Sequence, residues 1–138
     1  MKYKPTLSSA VKFANAGKLE KWIHLFLRGD GNNKDFSNGL KLEPRRFYAP
    51  EMIKFDKLER CCGPEKHMKF QIPETDFIRR VDDIASAYNR GGWDMPPLIV
   101  CREENRYELN DGNHRYEALK KLGINQYWAI IWETIKET

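Results

Sequence analysis

The stretch ELNDGNHRYEALKKLG, residues 108–123, decides the fold. Its first residues alternate like the end of a strand, Asp111-Gly112 makes a tight turn, and the rest has the composition of a helix. The far end of that helix follows the electrostatic rules. Lys120 and Lys121 suit the negative end of the dipole, and Gly123 stops the helix. The near end breaks them. With Asn113 as the N-cap, His114 and Arg115 are the first helical residues, where a full positive charge costs about 0.3–1 kcal/mol. Arg115 also heads the apolar stripe of Ala118, Leu119 and Leu122, spaced i, i+3, i+4 and i+7, so it points into the domain. A guanidinium turned inward needs a partner. One candidate is internal, with Asp111 and Glu117 nearest in sequence. The other is an external phosphate, met by the free helix N–H groups, Arg115 and a protonated His114. Gly112 would let such a ligand approach the backbone.

Working outward, residues 73–90 read as a helix that starts at Pro73-Glu74-Thr75 and ends at Gly91-Gly92, with Phe77, Val81, Ile84, Ala85 and Tyr88 on its apolar face. Pro96-Pro97 leads into the apolar run LIVC. The polar REEN follows, then residues 106–109, and the two strands predict a hairpin. QYWAIIWE, residues 126–133, is apolar at both alternating sets of positions, which predicts a strand covered on both faces. Because it follows its helix within a few residues, it can lie parallel to an earlier strand.

The first half is less regular. Ser8 or Ser9 can cap a first helix that Gly17 interrupts. Leu19, Trp22, Ile23, Phe26 and Leu27 then trace one helical face up to Gly29. Residues 30–42 read as a long Gly- and Asn-rich loop, either a lid over a ligand or a surface excursion. Residues 45–55, interrupted by Pro50, predict a short strand or irregular structure, and 68–72 a strand. The expectation is a single domain over 1–138 of α/β (α+β) class: a small mixed sheet layered with helices, plus an extra N-terminal helical segment.

Composition narrows the function. The 138 residues carry a net charge of +4 and no apolar run near the roughly 18 residues of a membrane span. Together with a start that lacks a signal-peptide core, this predicts a cytoplasmic protein with no membrane partner. Residues 1–80 hold 17 basic and 10 acidic residues, and residues 81–138 hold 7 and 10. The basic half is scattered and lacks a Lys/Arg block, so it suits a solvated face better than a nucleic-acid groove, although DNA stays a candidate partner. The three cysteines, Cys61, Cys62 and Cys101, fit no disulfide framework, and Cys61, Cys62 and His67 match no zinc spacing.

Taken together, PPLIV, YELNDGNHRYEALKKLG and YWAIIWE resemble the core of the ParB/sulfiredoxin superfamily, and the helix before PPLIV resembles the one that precedes that core in ParB N-terminal domains. The resemblance covers about residues 73–133 and leaves 1–72 as family-specific helix, loop and short strands. It implies a nucleotide (ATP, ADP or CTP) with Mg²⁺, its phosphates cradled by Gly112, Asn113, His114 and Arg115. Asn113 stands where sulfiredoxin has its reacting cysteine, so sulfinic-acid reduction is not implied. DGNHR is closer to the free serine kinase branch. There the resemblance makes Asp111 an acid assisting phosphoryl transfer, or a possible Mg²⁺ ligand, with His114 neutralising developing charge. The expectation is a nucleotide-binding domain that performs phosphoryl transfer or nucleotide hydrolysis. The alternatives are a ParB-like DNA-binding or nuclease module, disfavoured by the chain's end at residue 138, and a non-catalytic protein-interaction domain in which Arg115 pairs with Asp111 or Glu117.

Overall fold

A computed structural model describes residues 1–136, so the last two residues of the expected domain, 137–138, lie outside it. Helix α1 (Leu7–Asn15) is capped by Thr6, whose side chain accepts from the Ser9 N–H; Ser9 itself is buried. The chain reverses at Gly17, in the left-handed region at φ 71°, and α2 (Leu19–Arg28) buries all five residues of the predicted stripe. The expected 30–42 loop contains a helix, α3 (Lys34–Leu40), capped by Asn33. Seven residues that include Gly39, Asn38 and Ser37 have little intrinsic tendency to be helical. Burial of Ser37 and Leu40 supplies what propensity does not.

Strand β1 (Arg45–Lys54) runs through Pro50 as one ten-residue element, longer than expected. It tolerates the proline because it is an edge strand whose register slips between Tyr48 and Glu51, where no ladder hydrogen bond is needed. After a 3₁₀ turn come β2 (Leu58–Arg60), β3 (Cys62–Gly63) and β4 (Phe70–Gln71). The strand predicted at 68–72 is only the two residues of β4, paired with β3 in a separate ribbon. The remaining elements are α4 (Glu74–Asn89), β5 (Leu98–Glu103), β6 (Arg106–Asp111), α5 (Asn113–Lys121) and β7 (Gln126–Thr134).

The main sheet has the order β1-β7-β5-β6-β2. The β5/β6 hairpin is antiparallel, and β7 lies parallel to β5 and antiparallel to β1. Alternation along β7 serves two cores. Tyr127, Ala129 and Ile131 face Leu98, Leu109, Tyr116 and Leu119, while Ile130 and Trp132 face Trp22, Ile23 and Leu27. The fold is therefore an α/β sandwich: α1–α3 on one face, α5 on the other, and α4 packed against α5 through Phe77, Val81, Ala85 and Ala118. The first 72 residues are more than an addition, because they provide both edge strands and one whole helical layer.

Candidate functional site

The turn before α5 is built around Gly112, at φ 104° and ψ 19°, which is itself the N-cap; Asn113 is already helical. A Cβ on Gly112 would lie 2.6 Å from Leu98 Cδ2 and 3.0 Å from Arg115 Nη2. The expected close approach to this glycine is thus made by the protein's own side chains. Asn113 does not cap either. Its Oδ1 accepts from the N–H groups of Cys61 (3.0 Å) and Cys62 (3.3 Å), and its Nδ2 donates to the Leu109 carbonyl (3.1 Å). An amide can satisfy donors and acceptors together, so it pins the β2–β3 connection to the start of α5. Its side chain is spent on the fold; only its backbone N–H remains to meet a ligand.

Arg115 points inward, as its place on the stripe requires, and finds protein partners. Nη1 donates to the carbonyls of Pro96 (2.6 Å) and Pro97 (3.0 Å), and Nη2 to Asp111 Oδ2 (2.9 Å). The ring of Phe26 lies 5.6 Å from its guanidinium carbon. Glu117, the other local candidate, pairs with Arg60 and Lys120. Asp111 is occupied on both oxygens, because Oδ1 accepts from Asn33 Nδ2 at 3.2 Å. Burial pushes its carboxyl up from the ordinary value, with Arg115 and Asn33 pulling the other way. This donor set does not fit Mg²⁺. The place of the cation beside Asp111 is taken by a guanidinium, and among the described residues no three His, Cys, Asp or Glu side chains are grouped so as to hold a metal ion.

His114 stacks obliquely on Phe77 at 4.7 Å, and its Nε2 is buried without a hydrogen-bond partner among the described residues. Burial first, then the charges of Arg80, Arg115 and Arg60, lower its pKa to about 4. Without a ligand the fold thus favours the neutral form of His114. A free cation on the His114 side of the cleft is Arg80 of α4. It is exposed, lines the same cleft, and makes no ion pair or side-chain hydrogen bond among the described residues. Arg60 is already engaged by Glu65, by Glu117 and by the face of Phe77.

The first backbone bond of α5 runs from the Tyr116 N–H to the Gly112 carbonyl, so the N–H groups of Asn113, His114 and Arg115 have no intrahelical acceptor. All three residues line a cleft of about 1410 Å³ that also reaches Asn33, Ile84 and Trp93. Cys61 borders it as a buried thiol pushed up to about 11, chiefly by burial, with Asn113 Nδ2 at 3.7 Å. The sequence brought Asp111, Gly112, Asn113, His114 and Arg115 to one place. It missed Arg80, Asn33 and the two proline carbonyls. Arg80 was within reach, because it sits one turn from Ile84 at the edge of the α4 stripe. A carbonyl partner 18 or 19 residues away leaves no mark in sequence.

No family model matches the chain, and no curated protein matches it. Some solved structures are similar to part of it. It is similar to sulfiredoxin from Arabidopsis thaliana, at 23% identity over 59% of this chain and 84% of that one, with a TM-score of 0.44. It is similar to a free serine kinase variant in complex with ADP, at 22% identity over 65% of this chain and 34% of that one, TM-score 0.44. A Pnob8-like ParB-N domain is similar at 22% identity over 65% of this chain and 30% of that one, TM-score 0.40. The chain thus spans about a third of the length of the last two.

Proposed function

We propose that the start of α5 binds the phosphates of a nucleotide. Supporting this is the pairing of an unpartnered cation, Arg80, with an orphaned His114 Nε2 beside three open helix N–H groups. A phosphate there would accept from the N–H groups and neutralise Arg80. It would also favour a proton on His114, giving the buried nitrogen an acceptor to bond. Arg115 acts behind the site: it clamps Asp111 and the 96–97 carbonyls so that the turn is rigid before a ligand arrives.

Asp111 is placed to orient Arg115. Phosphoryl transfer or hydrolysis with Asp111 as base would require it to release Arg115 and Asn33, so binding is the function proposed and chemistry is secondary. Thermal shift with pyrophosphate, ADP, ATP and CTP tests the reading. A ligand at about 100 times its Kd should add about 2.7 kcal/mol. Absence of any shift at millimolar ligand would favour the second reading, a domain that keeps the fold and binds no nucleotide. The specific support for that reading is the internal engagement of Arg115 by Asp111 and two backbone carbonyls. Retarded DNA in a low-salt gel, with steep loss on adding salt, would instead favour a nucleic-acid module.

A further inference from the structure

The structure assigns Trp93 as the seat of the nucleobase; this rests on the phosphate reading above and names what lies at the other end of the ligand. Three residues of α4, Arg80, Ile84 and Tyr88, are four apart and form one stripe, rising about 6 Å per step. Arg80 and Ile84 both line the cleft. Trp93, just past the end of α4, packs edge-on against Tyr88 with ring centroids 6.3 Å apart, and it lines the cleft as well. The helix therefore acts as a ruler, with the free guanidinium at one end, an aliphatic side chain in the middle and an indole at the other. That is the order in which a nucleotide presents phosphate, sugar and base.

Trp93 is exposed, and its indole N–H has no hydrogen-bond partner among the described residues, yet the segment that carries it is held firmly. Asp94 accepts from the Ser8 N–H, the Met95 carbonyl accepts from the Tyr127 hydroxyl at 2.6 Å, and the next two carbonyls accept from Arg115. Tyr88 is in turn packed on Tyr127 at 6.5 Å. A large apolar ring left open on a braced segment meets the requirement for a stacking platform: the face is available and little entropy is lost when a base covers it. Stacking tolerates any base but grows with ring area, so purine nucleotides should bind more tightly than pyrimidine ones.

Calorimetric titration of the whole chain with ADP, CDP and pyrophosphate is the test, on the wild type, Trp93→Ala and Trp93→Phe. W93A should weaken ADP about tenfold, leave pyrophosphate unchanged, and erase the preference for ADP over CDP. W93F, which keeps a ring, should retain most of the affinity. ADP should quench tryptophan fluorescence in the wild type but not in W93F, which separates Trp93 from Trp132 in the same cleft. Equal ADP affinity in W93A and wild type would overturn the assignment while leaving the phosphate site standing. Loss of pyrophosphate binding in W93A would overturn it too, by showing that the residue shapes the site in general. Failure of the wild type to bind either ADP or pyrophosphate would remove the phosphate reading and this one together.

Discussion

At the scale of single residues, the turn before α5 divides its labour between side chains that build the site and groups left open. Asn113 belongs to the first kind. Asn113→Ala strands the buried N–H of Cys61 and the part-buried N–H of Cys62, and roughly 1–3 kcal/mol is at stake for a buried one left unsatisfied. Denaturant unfolding should show that loss with the m-value unchanged. His114 belongs to the second kind, and its titration gives a signed prediction. Its pKa in the fold is about 4, below the ordinary 6.5 of an unfolded histidine. Between those values the unfolded chain takes up the proton and the native state does not. Stability therefore falls as pH drops through that window and is unaffected by this group above it. Unfolding free energy measured against pH should slope less in His114→Gln than in wild type. A bound phosphate reverses the preference. The ratio of wild-type to H114Q affinity for pyrophosphate should then grow from about pH 7 to about pH 5, a comparison that cancels the ligand's own titration.

At the scale of elements, the site is a junction of the α5 start, the α4 flank, the segment before β5 and the cap of α3. The Arg115–Asp111 pair ties three of these together inside the protein, so Asp111→Ala leaves a buried guanidinium uncompensated at a cost of about 3–5 kcal/mol. Arg80→Ala, at an exposed position, should change stability by no more than about 0.5 kcal/mol. It should nevertheless weaken pyrophosphate binding several-fold and raise the His114 pKa, since Arg80 is the first charge after burial that lowers it. An NMR titration of the His114 ring reads the second effect, and no change in R80A would place the arginine away from the site. The sequence made the helix and its misplaced cations legible because periodicity and dipole are local rules. It could not show which cation was already satisfied. For Arg115 an internal partner and a phosphate were both open; Asp111 is its internal partner, joined by two carbonyls of the segment before β5, while Arg80 makes no ion pair among the described residues. The α3 cap was hidden for the same reason: a seven-residue helix exists here through burial, and Asn33 meets Asp111 only across 78 residues.

At the scale of the molecule, the sheet crosses the boundary that the sequence drew at residue 72. β7 lies between β1, from the first half, and β5, from the second, and β6 has β2 at its outer edge. The α1–α3 layer covers the face of the sheet that carries Ile99, Ile130 and Trp132. A fragment holding only residues 73–138 would expose that whole face and leave β7 without its antiparallel neighbour, presenting an unpaired apolar edge. The chain should therefore unfold as one cooperative unit. Far-UV circular dichroism and tryptophan fluorescence should give coincident thermal transitions, with Trp22 reporting from the first half and Trp128 and Trp132 from the second. Trp22 is fully buried and stacked 5.1 Å from Phe26, so Trp22→Ala should cost about 3–5 kcal/mol and lower the single transition without splitting it. Two separated transitions in W22A, or a 73–138 fragment with native-like near-UV dichroism, would show that the second half folds alone. Cooperativity also bears on binding. The α1–α3 layer supplies Asn33 to Asp111 and Phe26 to Arg115, so damage at Trp22 should loosen the clamp behind the phosphate site. Pyrophosphate affinity should fall in W22A at temperatures near its transition and recover well below it, because the ligand then has only the folded state to bind.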